Sequence, residues 1–201
     1  MGNKTATIIS WLLSPLLVPT YAFAMLLYAG PQFSMFSWEI KRFILIAGFF
    51  STGVLPLATI GFTALNKKLG RYAGTPADTP VLLLLTSVYY YIGYFLLNRL
   101  QMFAIFKLYL LASVLGIVVV LLISLRWNIS RHMAAIGTLP GLLIAWSFRS
   151  GTNPAILLAV LLLLCGILGT ARLALGKNTL PEVIAGFTLG FSFLYLVVFF
   201  A

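Results

Sequence analysis

The chain has 201 residues, 62% of them apolar, and only 8% carry a formal charge. A soluble domain is about a quarter charged and about half apolar. At this length, a water-soluble fold of such composition would expose more apolar surface than a monomer tolerates, so a soluble globular protein is excluded. A disulfide scaffold is excluded as well, because Cys165 is the chain's one cysteine. Disorder is excluded because its signature is low hydrophobicity. Thirteen Lys and Arg against three Asp and Glu give a net charge of +10. The basic residues stand singly at the ends of apolar runs, which is the pattern of membrane-boundary anchoring and not of a nucleic-acid stripe.

A bilayer core about 30 Å thick takes roughly 20 apolar residues per helix. That length predicts spans at residues 7–28, 43–65, 80–97, 103–125, 133–148, 154–173 and 183–201. The fifth is short, so six full spans and a partial one is the alternative. Lipid offers no partner to backbone polar groups, so the runs are expected as helices, and the ten-residue alternation of a barrel is absent. Lys4, an apolar run and Ala22-Phe23-Ala24 mimic a signal peptide. Pro15 and Pro19 interrupt that run, however, and it continues through Tyr28, so a kinked first span is expected. Pro56 and Pro140 fall inside spans and should bend them. Tyr89, Tyr90 and Tyr91 fall in the third span. Gly137 and Gly141, and again Gly186 and Gly190, are four apart, a spacing that lets two helix backbones approach closely. The expected architecture is an all-α, polytopic integral membrane bundle of six or seven transmembrane helices, a single domain over 1–201.

The polar segments are 66–79 (with Lys67, Lys68, Arg71 and Asp78), 126–132 (with Arg126, Arg131 and His132) and 176–179 (with Lys177 and Asn178). With seven spans they follow spans two, four and six and face the same side. His132, the one histidine, and two of the three acids, Asp78 and Glu182, converge there. Basic loops beside an apolar bundle suit an anionic headgroup whose tail lies between helices, and Arg matches phosphate through its fork of donors. His132 has the chemistry of a general acid or of an ordinary interfacial residue. Eight Lys and Arg fall on the motif side and five on the other. That bias nominally puts the motif face in the cytoplasm, but a phosphate site needs cations in either orientation, so the side stays open.

Arg172, Asn178 and Glu182, separated by five and three residues, stand in the register of Ser-Arg, five residues, His, three residues, Asp. Ile129-Ser130-Arg131-His132 stands in that of Pro-Ser-Gly-His, and Tyr72 with Thr79-Pro80 in that of Lys, six residues, Arg-Pro. In this order, within 72–182, the chain resembles the type 2 phosphatidic acid phosphatase family. The segments 14–21, 171–176 and 185–190 look like its bacterial inner-membrane branch. The resemblance implies roles for these positions. The third-signature histidine attacks phosphorus, the acid four residues later orients it, the second-signature histidine protonates the leaving oxygen, and Lys and Arg hold the phosphoryl oxygens. Here Ser130, His132, Arg172 and Pro80 are kept. Tyr72, Thr79, Ala171 and Glu182 replace the lysine, the first arginine, a serine and the aspartate, and Asn178 replaces the nucleophile.

A carboxamide nitrogen is not basic and cannot take a phosphoryl group as imidazole does. The loss of two phosphate cations also removes transition-state stabilisation, although Arg71 or Lys68 can replace the first-signature lysine from a neighbouring position. Two readings follow. One is a pseudoenzyme that binds a lipid or polyprenyl phosphate, alone, as a homo-oligomer or as a subunit of a membrane complex. The other is an active lipid phosphatase using water activated by His132 or Glu182. Catalytic positions are then His132, Asn178 and Glu182, and phosphate-binding ones are Arg172, Ser130, Arg71, Lys68 and Arg131. No metal, cofactor or nucleic acid is expected.

Overall fold

The computed structural model describes residues 3–65, 80–99 and 104–201. Regular structure among the described residues is helical throughout, as hydrocarbon demands of a backbone that must satisfy its own N–H and C=O groups. The third to seventh predicted runs appear, within about three residues at each end, as α5 (Pro80–Arg99), α6 (Ala104–Ser124), α7 (Arg131–Ser150), α8 (Ala155–Ala174) and α9 (Leu180–Phe200). Among the described residues, four stretches are long and apolar enough to cross a membrane: Trp38–Thr59, Ala104–Ser124, Ala155–Ala174 and Leu180–Phe200. Val18–Ala29 and Leu83–Asn98 are shorter apolar helices.

The first run differs from expectation. It is two helices, α1 (Asn3–Leu12) and α2 (Val18–Ala29), where one kinked span was predicted. Pro15 has no N–H to continue the ladder, and two tyrosine hydroxyls serve the carbonyls exposed at the break. Tyr21 donates to the Leu12 carbonyl at 2.8 Å, and Tyr90 of α5 donates to that of Pro15 at 3.3 Å. The second run is continuous but irregular. Helix α3 (Trp38–Phe49) passes through a π-helical turn, Phe50–Val54, into α4 (Leu55–Leu65). The Leu55 N–H reaches back five residues to Phe50 directly before Pro56, a widened turn where a proline upsets the α register. Ser51 and Thr52 turn their hydroxyls back onto the Ala47 and Gly48 carbonyls. In α5, Tyr90 is buried and Tyr91 is exposed.

Helices α7 and α9 pack in parallel through both glycine pairs. A Cβ on Gly186 would lie 2.5 Å from the Ser130 carbonyl oxygen, and one on Gly137 would lie 2.6 Å from that of Phe187. On Gly190 and Gly141 it would run into the carbonyls of Ala134 and Phe191. Only hydrogen at Cα permits this approach. At the far end, Arg149 Nη1 donates to the Val198 carbonyl at 3.0 Å. Helix α7 is buried along most of its length, and Arg131, His132 and Arg149 stand in its first and last turns, Arg149 exposed. Helix α8 runs back alongside both α7 and α9, and its Gly169 lies against Val183 of α9 and Met133 of α7. The start of α7, the end of α8 and the start of α9 therefore meet at one end of the bundle. An aromatic core lies toward the other end, where Phe23 meets Phe106 and Tyr109 edge-on at 5.2 and 5.9 Å.

Candidate functional site

The meeting end is shaped by two local devices. Helix α8 closes at Leu175, and Gly176 follows in the left-handed region at φ 61°, a conformation that costs an L side chain about 1–2 kcal/mol. The chain then turns so that the Lys177 N–H donates to the Arg172 carbonyl at 3.2 Å. Helix α9 opens with a reciprocal cap: the Thr179 hydroxyl serves the third-residue N–H, and Glu182 Oε2 accepts the Thr179 N–H at 3.1 Å. Asn178 is thereby held between Arg172, six residues back in the last turn of α8, and Glu182, four residues ahead on α9.

Its carboxamide bonds on both sides. Asn178 Oδ1 accepts from Arg172 Nε at 3.1 Å and from Ser130 Oγ at 3.1 Å, while Nδ2 donates to Glu182 Oε2 at 3.0 Å. A guanidinium only donates and an ionised carboxylate only accepts, so this amide orientation is the one that satisfies all three neighbours. Ser130 is the residue before α7, a position whose side chain usually accepts an N–H of its own helix. Here it makes no such bond, and the hydroxyl crosses to Asn178 instead. The Ser130 N–H donates to the Glu182 carbonyl at 3.2 Å, joining α7 and α9 by backbone as well. Ser130 is 1% exposed; Arg172, Asn178 and Glu182 are half-buried.

The structure thus brings Ser130, Arg172, Asn178 and Glu182 into one hydrogen-bonded cluster across three helices. Arg131 and His132 occupy the first turn of α7 beside it, both half-buried. Lys68, Arg71, Tyr72 and Thr79 lie outside the described residues. Comparison with family models, curated proteins and solved structures gives no match. Among the described residues there is no group of three or more His, Cys, Asp or Glu able to hold a metal.

What this arrangement can do follows from its atoms. Asn178 offers no lone pair comparable to imidazole, and its oxygen already takes two donors. The Arg172 guanidinium donates its Nε–H to Asn178 Oδ1 and keeps its full charge at this end of the bundle. The arrangement therefore orients a cation at the end of the bundle, with an amide fixed between cation and carboxylate. Two contributors were not singled out from sequence: Thr179, legible in hindsight as Thr-x-x-Glu before an apolar run, and Gly176, whose backbone sets the turn.

Proposed function

We propose that this chain is a membrane-embedded lipid-phosphate binder, built on a site like that of type 2 phosphatidic acid phosphatases but lacking phosphohistidine chemistry. The observation that carries the reading is the engagement of Asn178, at the attacking position, by Arg172, Ser130 and Glu182. A tied, non-basic amide holds Arg172 in place and does not attack phosphorus. Arg172 binds the phosphoryl oxygens, with Ser130 positioned through Asn178, and His132 adds a donor from the first turn of α7. Lys68, Arg71 and Arg131 supply further positive charge. The bundle has six or seven spanning segments in a bacterial inner membrane, and it acts alone, as a homo-oligomer or within a membrane complex.

The test is phosphate release from dioctanoyl phosphatidic acid by the purified protein, with binding of the same lipid measured in parallel. The native protein is expected to bind without releasing phosphate. Arg172→Ala should weaken binding by about 1.5–3 kcal/mol, the value of a hydrogen bond to a charged group, or roughly 10- to 150-fold. His132→Ala should weaken it less. General acid help alone supplies about 10²–10⁴-fold, against the 10⁶ or more of typical enzymes, so a surviving His132 does not make a phosphatase. Robust release by the native protein, lost in His132→Ala, would overturn this and favour water activated by His132 or Glu182.

A further inference from the structure

Helix α5 carries Tyr89, Tyr90, Tyr91 and Tyr94, and their hydroxyls fare in two ways. The Tyr89 hydroxyl meets that of Thr59 at 2.6 Å, and the Tyr90 hydroxyl donates to the Pro15 carbonyl at 3.3 Å. Tyr91 and Tyr94 stack their rings at 5.8 Å, and among the described residues their hydroxyls make no hydrogen bond. Tyr91 lies on the outer side of the helix in line with Leu84, Val88 and Phe95, all four about half exposed. Spacings of four, three and four residues keep them on one uncharged stripe, opposite the buried Tyr90, Gly93 and Leu97.

The stripe lies at hydrocarbon depth. Gly93, two residues on from Tyr91, packs against Ser51 and Leu110, which belong to two of the stretches long and apolar enough to cross a membrane. From Tyr91 the helix runs about 12 Å to Arg99 and about 16 Å to Pro80 at 1.5 Å per residue, farther than its side chain reaches. Lipid tails offer the hydroxyl no partner, and leaving it without one in hydrocarbon is costly.

We propose that this stripe joins two copies of the chain, with the two Tyr91 hydroxyls hydrogen-bonded across the interface. Copies inserted the same way are related by a twofold axis along the membrane normal, which sets every residue at the depth of its counterpart. A phenol both donates and accepts, so the two hydroxyls satisfy each other. A different protein would need a matching group at this depth; a second copy carries one by construction. The four-three-four spacing is also the seam of a left-handed helix pair, the common crossing in membranes. Ser130, Arg172, Asn178 and Glu182 all lie outside α5, so the interface does not rest on the lipid-phosphate reading.

The experiment is sedimentation equilibrium of the full-length protein in density-matched detergent. Wild type should form a dimer. Tyr91→Phe keeps the ring and removes a hydroxyl that makes no bond within the described residues, so the fold stays as it is. The dimer should weaken about three- to tenfold, as the loss of one net hydrogen bond allows. Val88→Trp, on the same exposed stripe, should abolish it by holding the helices apart. Ile156→Trp, an equally bulky change on the exposed side of α8, should leave association at the wild-type value. A monomeric wild type, the result expected if lipid or a different protein covers the stripe, would overturn the proposal. So would a Tyr91→Phe variant that associates as wild type does, or a dimer that survives Val88→Trp.

Discussion

Replacing Gly190 by Ala adds one methyl group where α9 lies against the Ala134 carbonyl of α7. The added carbon would meet the carbonyl oxygen and carbon of Ala134 and its Cα at 3.1 Å, all of them backbone atoms of a helix. No rotamer change relieves that overlap, so the helices must part, and the contacts at Gly186, Gly137 and Gly141 open with them. Overpacking of this kind costs about 1–3 kcal/mol, and the backbone neighbour puts Gly190→Ala at the upper end. The gain in helix propensity of Ala over Gly, about 0.8–1 kcal/mol, offsets part of it. The net loss is about 2 kcal/mol, and at roughly 2–4 °C per kcal/mol for a chain this long the midpoint falls by about 4–8 °C. Gly166 in α8 is the internal control, because a Cβ there meets nothing within 4 Å. Gly166→Ala keeps the propensity gain and should be neutral or slightly stabilising. The assay heats the detergent-solubilised protein and follows the monodisperse fraction by size exclusion. A Gly190→Ala midpoint equal to wild type, or an equal fall in Gly166→Ala, would show that the seam is not packed as described.

Two other outcomes are expected. Gly176→Ala strains a left-handed turn and should cost about 1–2 kcal/mol, with a parallel loss of lipid-phosphate binding because the turn presents Asn178; unchanged binding at reduced stability would separate the turn from the site. Tyr90→Phe removes the donor to the Pro15 carbonyl, a 3.3 Å bond, and should lower stability by about 0.5–1.5 kcal/mol in the same thermal assay, with Tyr91→Phe on the exposed side of α5 as the silent comparison.

The parts of the fold legible in sequence were those fixed by hydrocarbon thickness. The run at 103–125 and α6 agree within one residue at each end, because length and apolarity alone define such a span. The fifth run looked short since Arg131, His132 and Arg149 trimmed it; these residues sit in the end turns, where a helix can carry them, and the full helix has 20 residues. Prolines announced irregularity at 15 and 56 but not its form. Whether the chain bends or breaks at Pro15 depends on partners such as the Tyr90 hydroxyl, 75 positions away in the chain. At the site, Arg172, Asn178, Glu182 and Ser130 were associated through the resemblance of their registers to a family's signatures, which spacing alone does not supply. That the Ser130 hydroxyl leaves its own helix for Asn178 is a matter of three-dimensional packing, with no local pattern to betray it.

The two glycine seams also have a mechanical consequence. With backbone against backbone at four points, α7 and α9 behave as one beam, and neither can slide without lifting over a carbonyl. Helix α8 is mounted differently. It is flanked by Gly151 and Gly176, both left-handed, and a Cβ on either would meet nothing within 4 Å. Twenty residues make a lever arm of about 30 Å. Pivoting at the Gly151 end, a tilt of about 5° displaces the far end by roughly 2.6 Å over that arm, enough to part Arg172 from Asn178. A movement that opened the cationic cluster would have to draw Leu161, Leu168 and Ala171 of α8 out of their buried positions, with the beam as its fixed reference.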